Sequence, residues 1–218
     1  MKMPSAEPMR CFVCHTQNTD VTQDTSTAGQ RRMRCPRCGP YDVSDDVIED
    51  YRDDRTPAGG RVGGEGWHIL SGHLRRITDS QPDERRPWLQ HKVAVDTLIE
   101  AEPSPRGLPE AIDELIRRIY ELGEGLDRSV KLDMDHGGAL VYARSIEEWQ
   151  GIYSHSIKTP WIEGDESWTD NQATVHLTPG GWQRAYDLVA DPETSTTVFV
   201  GMWFPDKDEC PAEYEQMW

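Results

Sequence analysis

Four of the five cysteines in this chain stand in two pairs, each with two residues between the partners: Cys11-Phe12-Val13-Cys14 and Cys35-Pro36-Arg37-Cys38. Twenty residues separate the pairs, a spacing that suits two tight turns holding one tetrahedral ion. Residues Met1 to Arg10 lack the apolar stretch of a secretory signal, and no run of eighteen apolar residues exists. A cytoplasmic protein with no membrane association is therefore expected, and reduced thiols on a metal are expected in place of disulfides. A catalytic zinc keeps one position open for water, whereas four cysteines close the shell, so the expected cofactor is a structural Zn2+ on Cys11, Cys14, Cys35 and Cys38. Such sites supply about 10–16 kcal/mol of apparent free energy, more than a segment this short gains from its own apolar burial.

Gly39 follows the second pair, where the backbone must turn beneath the sulfurs. His15, next to Cys14, is a conceivable substitute ligand whose simpler reading is a surface histidine. Cys210 has no partner nearby in sequence and reads as a free thiol.

Charge divides the chain unevenly. The net charge is −16, yet residues 1–40 hold six cations and three anions, which leaves −19 on residues 41–218. Arg31, Arg32, Arg34 and Arg37 form a basic collar around the second cysteine pair, a candidate contact for a polyanion or a protein partner. No aromatic residues interleave with these arginines as a single-strand binder needs, and the acidic remainder opposes phosphate contact. Nucleic acid is thus disfavoured, and contact with the chain's own acidic part or simple solvation is the better expectation for these arginines. A protein partner or effector domain is expected for the chain.

Hydropathy periodicity supplies the other elements. Ser44 reads as the N-cap of a short helix that carries Val47, Ile48 and Tyr51 on one face and ends before Pro57. The glycine-rich stretch from Ala58 to Gly66 lacks the flanking signals of a phosphate-binding loop and reads as a linker. Leu70, Leu74 and Ile77 mark a helix over 67–78. His68 and His73 do not share one of its faces, which argues against a metal pair. Residues 80–108 read as a connector with one helical stretch near 94–102.

From Leu108 onward the pattern becomes regular. Pro109 opens a helix with Ile112, Leu115, Ile116, Ile119 and Tyr120 on its apolar face, and Gly123 stops it. Val130, Leu132 and Met134 alternate as in a strand. Ser145-Ile146-Glu147-Glu148 is a capping box. Trp161-Ile162 and Ala173 to Leu177 form the arms of a hairpin, and Thr178-Pro179 caps a last helix. The order helix, strand, helix, helix, hairpin, helix is that of a winged-helix domain. The segment that would read DNA, 145–158, carries Glu147 and Glu148 in its first turn, where phosphates would repel them. Thr197 to Phe204 is a continuous apolar run resembling the first buried strand of an α/β domain, after which too few residues follow for a βαβ unit.

These pieces give an α+β, multi-unit chain: a zinc ribbon over 1–43, a helical connector over 44–105, a winged-helix-like domain over 106–190, and a linker with an incomplete C-terminal strand over 191–218. Four stretches carry a family resemblance: Arg34-Cys35-Pro36-Arg37-Cys38-Gly39 with Tyr41-Asp42-Val43-Ser44, Leu70-Ser71-Gly72-His73-Leu74, Leu177-Thr178-Pro179-Gly180-Gly181-Trp182-Gln183-Arg184, and Val198-Phe199-Val200-Gly201-Met202-Trp203-Phe204. In these the chain resembles bacterial proteins with an N-terminal zinc ribbon, a winged-helix-like middle and a C-terminal TIR-like domain related to nucleoside deoxyribosyltransferases. The resemblance implies an effector domain acting on nucleotides, in defence against phage, of which only the opening strand falls within this chain. The expectation is accordingly a non-catalytic regulatory or sensor module for a TIR-like effector, with a DNA-binding transcription regulator as the alternative. No nucleophile paired with a base stands out, so no catalytic residue is assigned.

Overall fold

In the computed structural model, the residues described are 10–17, 22–27, 29–53, 61–80, 86–123 and 129–190. The apolar run Thr197 to Phe204 and Cys210 lie outside them. The chain divides into a compact unit from Met1 to Leu188 and a second from Val189 to Trp218. The first unit is mixed α+β, with six α-helices and two small sheets among the described residues.

A four-stranded sheet in the order β1-β2-β3-β4 forms the N-terminal half. Strand β1 (Thr22–Thr27) pairs antiparallel with β2 (Gln30–Cys35), which pairs antiparallel with β3 (Gly39–Ser44). The register Cys35↔Gly39 places the second cysteine pair at the β2–β3 turn. Ser44 accepts a hydrogen bond from Val47 N at 3.2 Å and so caps helix α1 (Asp45–Asp53), whose Asp45 and Asp46 sit at the positive end of its dipole. Val47, Ile48 and Tyr51 are buried as their spacing predicts.

Helix α2 (Trp67–Ser80) lies next along the chain, with Leu70 and Leu74 fully buried. The segment read as a plain connector contains one further strand. Trp88–Leu89 (β4) runs parallel to β3, fastened by Asp42 N to Pro87 O at 2.9 Å and by Ser44 Oγ to Gln90 O at 2.9 Å. Two residues show no alternation, so hydropathy could not reveal this strand. Helix α3 (Lys92–Ala101) follows it.

The C-terminal half starts with α4 (Leu108–Leu122), which has Pro109 in its first turn. Strand β5 (Val130–Asp133), a 3-10 segment (Gly137–Val141), α5 (Ile146–Ser156), β6 (Ile162–Gly164), β7 (Gln172–Leu177) and α6 (Pro179–Val189) complete it. The sheet order is β5-β7-β6, both pairings antiparallel. Ser145 caps α5 by accepting from Glu148 N at 3.1 Å, and Thr178 caps α6 by accepting from Gly181 N at 3.0 Å.

Each half has its own apolar cluster. Cys11, Met33, Tyr41, Val47, Leu70 and Leu74 belong to the first, and Leu115, Ile116, Leu132, Trp149, Tyr153 and Val175 to the second. Helix α2 bridges them. Its Gly72 faces the ring of Tyr142, and a Cβ there would lie 2.5 Å from that ring, so only glycine admits the packing. Among the described residues no helix is long and apolar enough to cross a membrane.

Candidate metal centre

Cys11 and Cys14 are brought together by a turn in which Cys11 N donates to Thr16 O at 3.1 Å and His15 N donates to Cys11 O at 3.0 Å. The second pair occupies the β2–β3 turn. The residue after each pair takes the left-handed conformation, His15 with φ 57° and Gly39 with φ 78°, which bends the chain back beneath the sulfurs. A Cβ at position 39 would also lie 2.8 Å from Thr78 Oγ1 of α2. His15 is thus a turn residue, and the ligand cluster consists of the four cysteines.

All four sulfurs are buried and lie within 4.8 Å of one another. Cys11 Sγ is 3.8 Å from Cys38 Sγ, and Cys14 Sγ is 3.5 Å from Cys35 Sγ. A disulfide requires about 2.05 Å, whereas a tetrahedron with metal–sulfur bonds of about 2.3 Å has edges of about 3.8 Å. The arrangement is that of a four-cysteine metal site. Burial pushes the Cys11 and Cys38 thiols well above their ordinary range, whereas hydrogen bonds, that from Cys11 first, draw Cys14 and Cys35 down. Four thiolates packed this closely fit together only around a cation.

Hydroxyl groups surround the sulfurs. Tyr41 Oη lies 3.1 Å from Cys11 Sγ, Ser71 Oγ 3.2 Å from Cys38 Sγ, and Thr16 Oγ1 3.0 Å from Cys14 Sγ. On a thiolate each hydroxyl becomes a donor, spreading the negative charge of the cluster and making the sulfurs poorer nucleophiles. Tyr41 and Ser71 are fully buried. Ligand spacing does not reveal these residues.

The four collar arginines separate into two kinds. Arg32 and Arg34 are exposed on β2. Arg31 pairs with Asp45 at 2.5 Å and lies over Phe12. Arg37 is buried, donates to Ala143 O and stacks 5.1 Å from the centroid of Trp67, whose ring also takes Arg61 at 4.7 Å. Arg37 therefore ties the metal knuckle to the C-terminal half of its own chain.

Further ties follow the same route. Arg75 Nη1 donates to Pro36 O at 3.0 Å and its Nε pairs with Asp79 at 2.9 Å; Asp79 also accepts from the buried Arg118 of α4 at 2.9 Å. Glu102 is met by His73 at 2.7 Å, Arg76 at 2.6 Å and Tyr142 Oη at 2.6 Å. The metal turn is thus joined through α2 to α4 and to the residues before α5. His68 and His73 of α2 serve separate neighbourhoods, as their spacing implies. Family models, curated proteins and solved structures contain no match to this chain.

Proposed function

We propose that the chain is a non-catalytic regulatory or sensor module whose four-cysteine site holds a structural Zn2+, and that it controls a TIR-like nucleotide-processing effector. The observation that carries the regulatory part is the unbroken polar path from the metal turn to the C-terminal half, through Arg37–Ala143, Arg75–Pro36 and Asp79–Arg118. A zinc ribbon used only as a detachable head would not need its knuckle arginine buried under a second domain. The closed, hydroxyl-buffered sulfur set favours a structural ion over a reactive one, and zinc among metals suited to four thiolates.

The C-terminal half fits a winged-helix-like unit, with the 3-10 segment taking the place of its second helix and β6–β7 forming the wing. The effector part of the reading rests on the resemblance of residues 198–204, and antiphage defence follows from the same resemblance. Elemental analysis should give one zinc per chain. Coupling is tested by supplying a TIR-like nucleotide-hydrolysing domain, fused or as a separate subunit. A change in nucleotide turnover of about fivefold or more when Cys35→Ser removes the ion supports control, whereas turnover indifferent to the module overturns it.

The DNA-binding alternative has Arg32 and Arg34 in its favour, exposed on one strand. Opposing it, the first turn of α5 carries Glu147 and Glu148, and the wing loop carries Asp165, Glu166 and Asp170. Fluorescence anisotropy with duplex and single-stranded DNA near 50 mM salt decides between the two; saturable binding there would favour the alternative.

A further inference from the structure

A groove of about 470 Å3 opens between the loop that leads into α4, the residues around Tyr142 and one side of α5. Its volume falls in the range of about 300–1,000 Å3 usual for small-molecule sites. Leu108, Ala111 and Ile152 give it an apolar lining, and Arg106 and Arg144 both border it.

Those two arginines differ from those on the helices nearby. Arg75 and Arg76 of α2 and Arg117 and Arg118 of α4 all pair with carboxylates. The guanidinium groups of Arg106 and Arg144 have no hydrogen bond, ion pair or ring contact among the described residues. Each is followed four residues later by a glutamate whose Oε2 accepts from the arginine's own backbone N–H, Glu110 for Arg106 and Glu148 for Arg144. The carboxylates in reach are thus committed to the starts of α4 and α5, and two cations border one groove in a chain of net charge −16. Among the described residues, Glu148 is the only carboxylate in the lining.

Two further observations point to an occupant. Gly151 lies inside α5, where glycine costs stability relative to alanine, yet a Cβ there would meet nothing within 4 Å and its φ is not positive. Neither packing nor backbone geometry requires this glycine, and its effect is to leave the groove wall bare. His68 also lines the groove; it is buried, and its Nδ1 has no partner among the described residues. Burial first, and the charge of Arg144 next, lower its pKa against the raising effect of the Glu65 backbone, and the ring adds a polar group to the wall.

We propose that this groove binds a small organic phosphate, its phosphate held by Arg106 and Arg144 and its body lying on Leu108 and Ile152 across the bare surface of Gly151. Two guanidinium forks match the several oxygens and double charge of a phosphomonoester, whereas a single carboxylate would leave one of them unmatched. The inference goes beyond the regulatory reading and does not need it. Binding is measured on the isolated chain and control on the effector's turnover, so either can fail alone.

The test is a calorimetric titration of the zinc-loaded full chain with AMP, ribose 5-phosphate and phenyl phosphate, and with adenosine and inorganic phosphate as the separated halves of AMP. At least one phosphomonoester should saturate a single site with a Kd below about 1 mM. Adenosine and inorganic phosphate should each bind about tenfold more weakly or worse, and Arg144→Gln should weaken the phosphomonoester by about tenfold. Gly151→Leu should abolish binding without lowering the thermal midpoint, which separates a filled groove from a damaged fold. Saturation by none of the three phosphomonoesters overturns the proposal. So does equal affinity for either separated half, or affinity unchanged in the Arg106→Gln/Arg144→Gln double variant.

Discussion

The two halves of the first unit reach stability by different means. Among the described residues, the C-terminal half packs nineteen buried residues into one apolar cluster around Trp149 and Tyr153, and the N-terminal cluster has sixteen, four of which are the clustered cysteines. Removing those four from the count leaves a layer too thin to order three short strands and two turns unaided. A metal ion held by the four cysteines would concentrate in one point the free energy that the other half distributes over many contacts. Loss of the ion should therefore be a local catastrophe in one half and a modest event in the other.

Chelation of the metal, or Cys35→Ser, is the sharpest way to break this comparison. About 10–16 kcal/mol of apparent binding free energy is at stake, so amide protection in β2, β3 and the two cysteine turns should vanish. Amides of α4 and α5 should keep most of their protection, as read by hydrogen exchange. Simultaneous loss in both halves would show that the polar ties through α2 make them one cooperative unit. The complementary experiment is Trp149→Ala. This side chain is fully buried and its Nε1 donates to Asp133 O at 3.1 Å; the expected cost is about 3–5 kcal/mol in urea unfolding, with the metal content unchanged.

The same division governs what could be read from sequence. Elements that bury a periodic face were legible: Ile112, Leu115, Ile116 and Ile119 on α4 are all buried, and the caps Ser44, Ser145 and Thr178 make their predicted bonds. The cysteine cluster was legible because ligand spacing is a local property. Strand β4 was not, since two residues carry no period. Nor was the burial of Arg37, because charge alone does not tell whether a guanidinium meets solvent, a partner or a carbonyl 106 residues away. Ser71 illustrates the same limit. It completes the metal surroundings from a helix whose sequence shows only an amphipathic pattern.

The seam between the halves gives the next effect in size. Arg118 is 2% exposed and pairs with Asp79 and Glu121. Arg118→Ala removes the link from Asp79, itself only 11% exposed, to α4 and leaves Arg75 as its partner, so it should cost about 1–3 kcal/mol. A double-mutant cycle of Arg118→Ala with Asp79→Ala should return a coupling of about 0.5–3 kcal/mol. Coupling near zero would mean that the halves are held by apolar contact alone and that the ion pair only fills the space.

The smallest effect concerns Glu102, which joins α2 to Tyr142. Burial raises its pKa, but hydrogen bonds from His73 and Tyr142 and the charge of Arg76 outweigh burial and set it below the ordinary value of 4.5. The unfolded chain then binds more protons than the folded one as pH falls through this region, so the contribution is full above the unfolded value and is lost as pH falls through the lower folded value. Glu114 is displaced the other way by burial and offsets part of the trend. Unfolding free energy measured across this acid window should therefore fall more steeply for the wild type than for Glu102→Gln, and the difference should persist after chelation of the metal if the seam belongs to the C-terminal half. Identical slopes would remove Glu102 from the seam. A difference that disappears with the ion would place the seam under the metal's control.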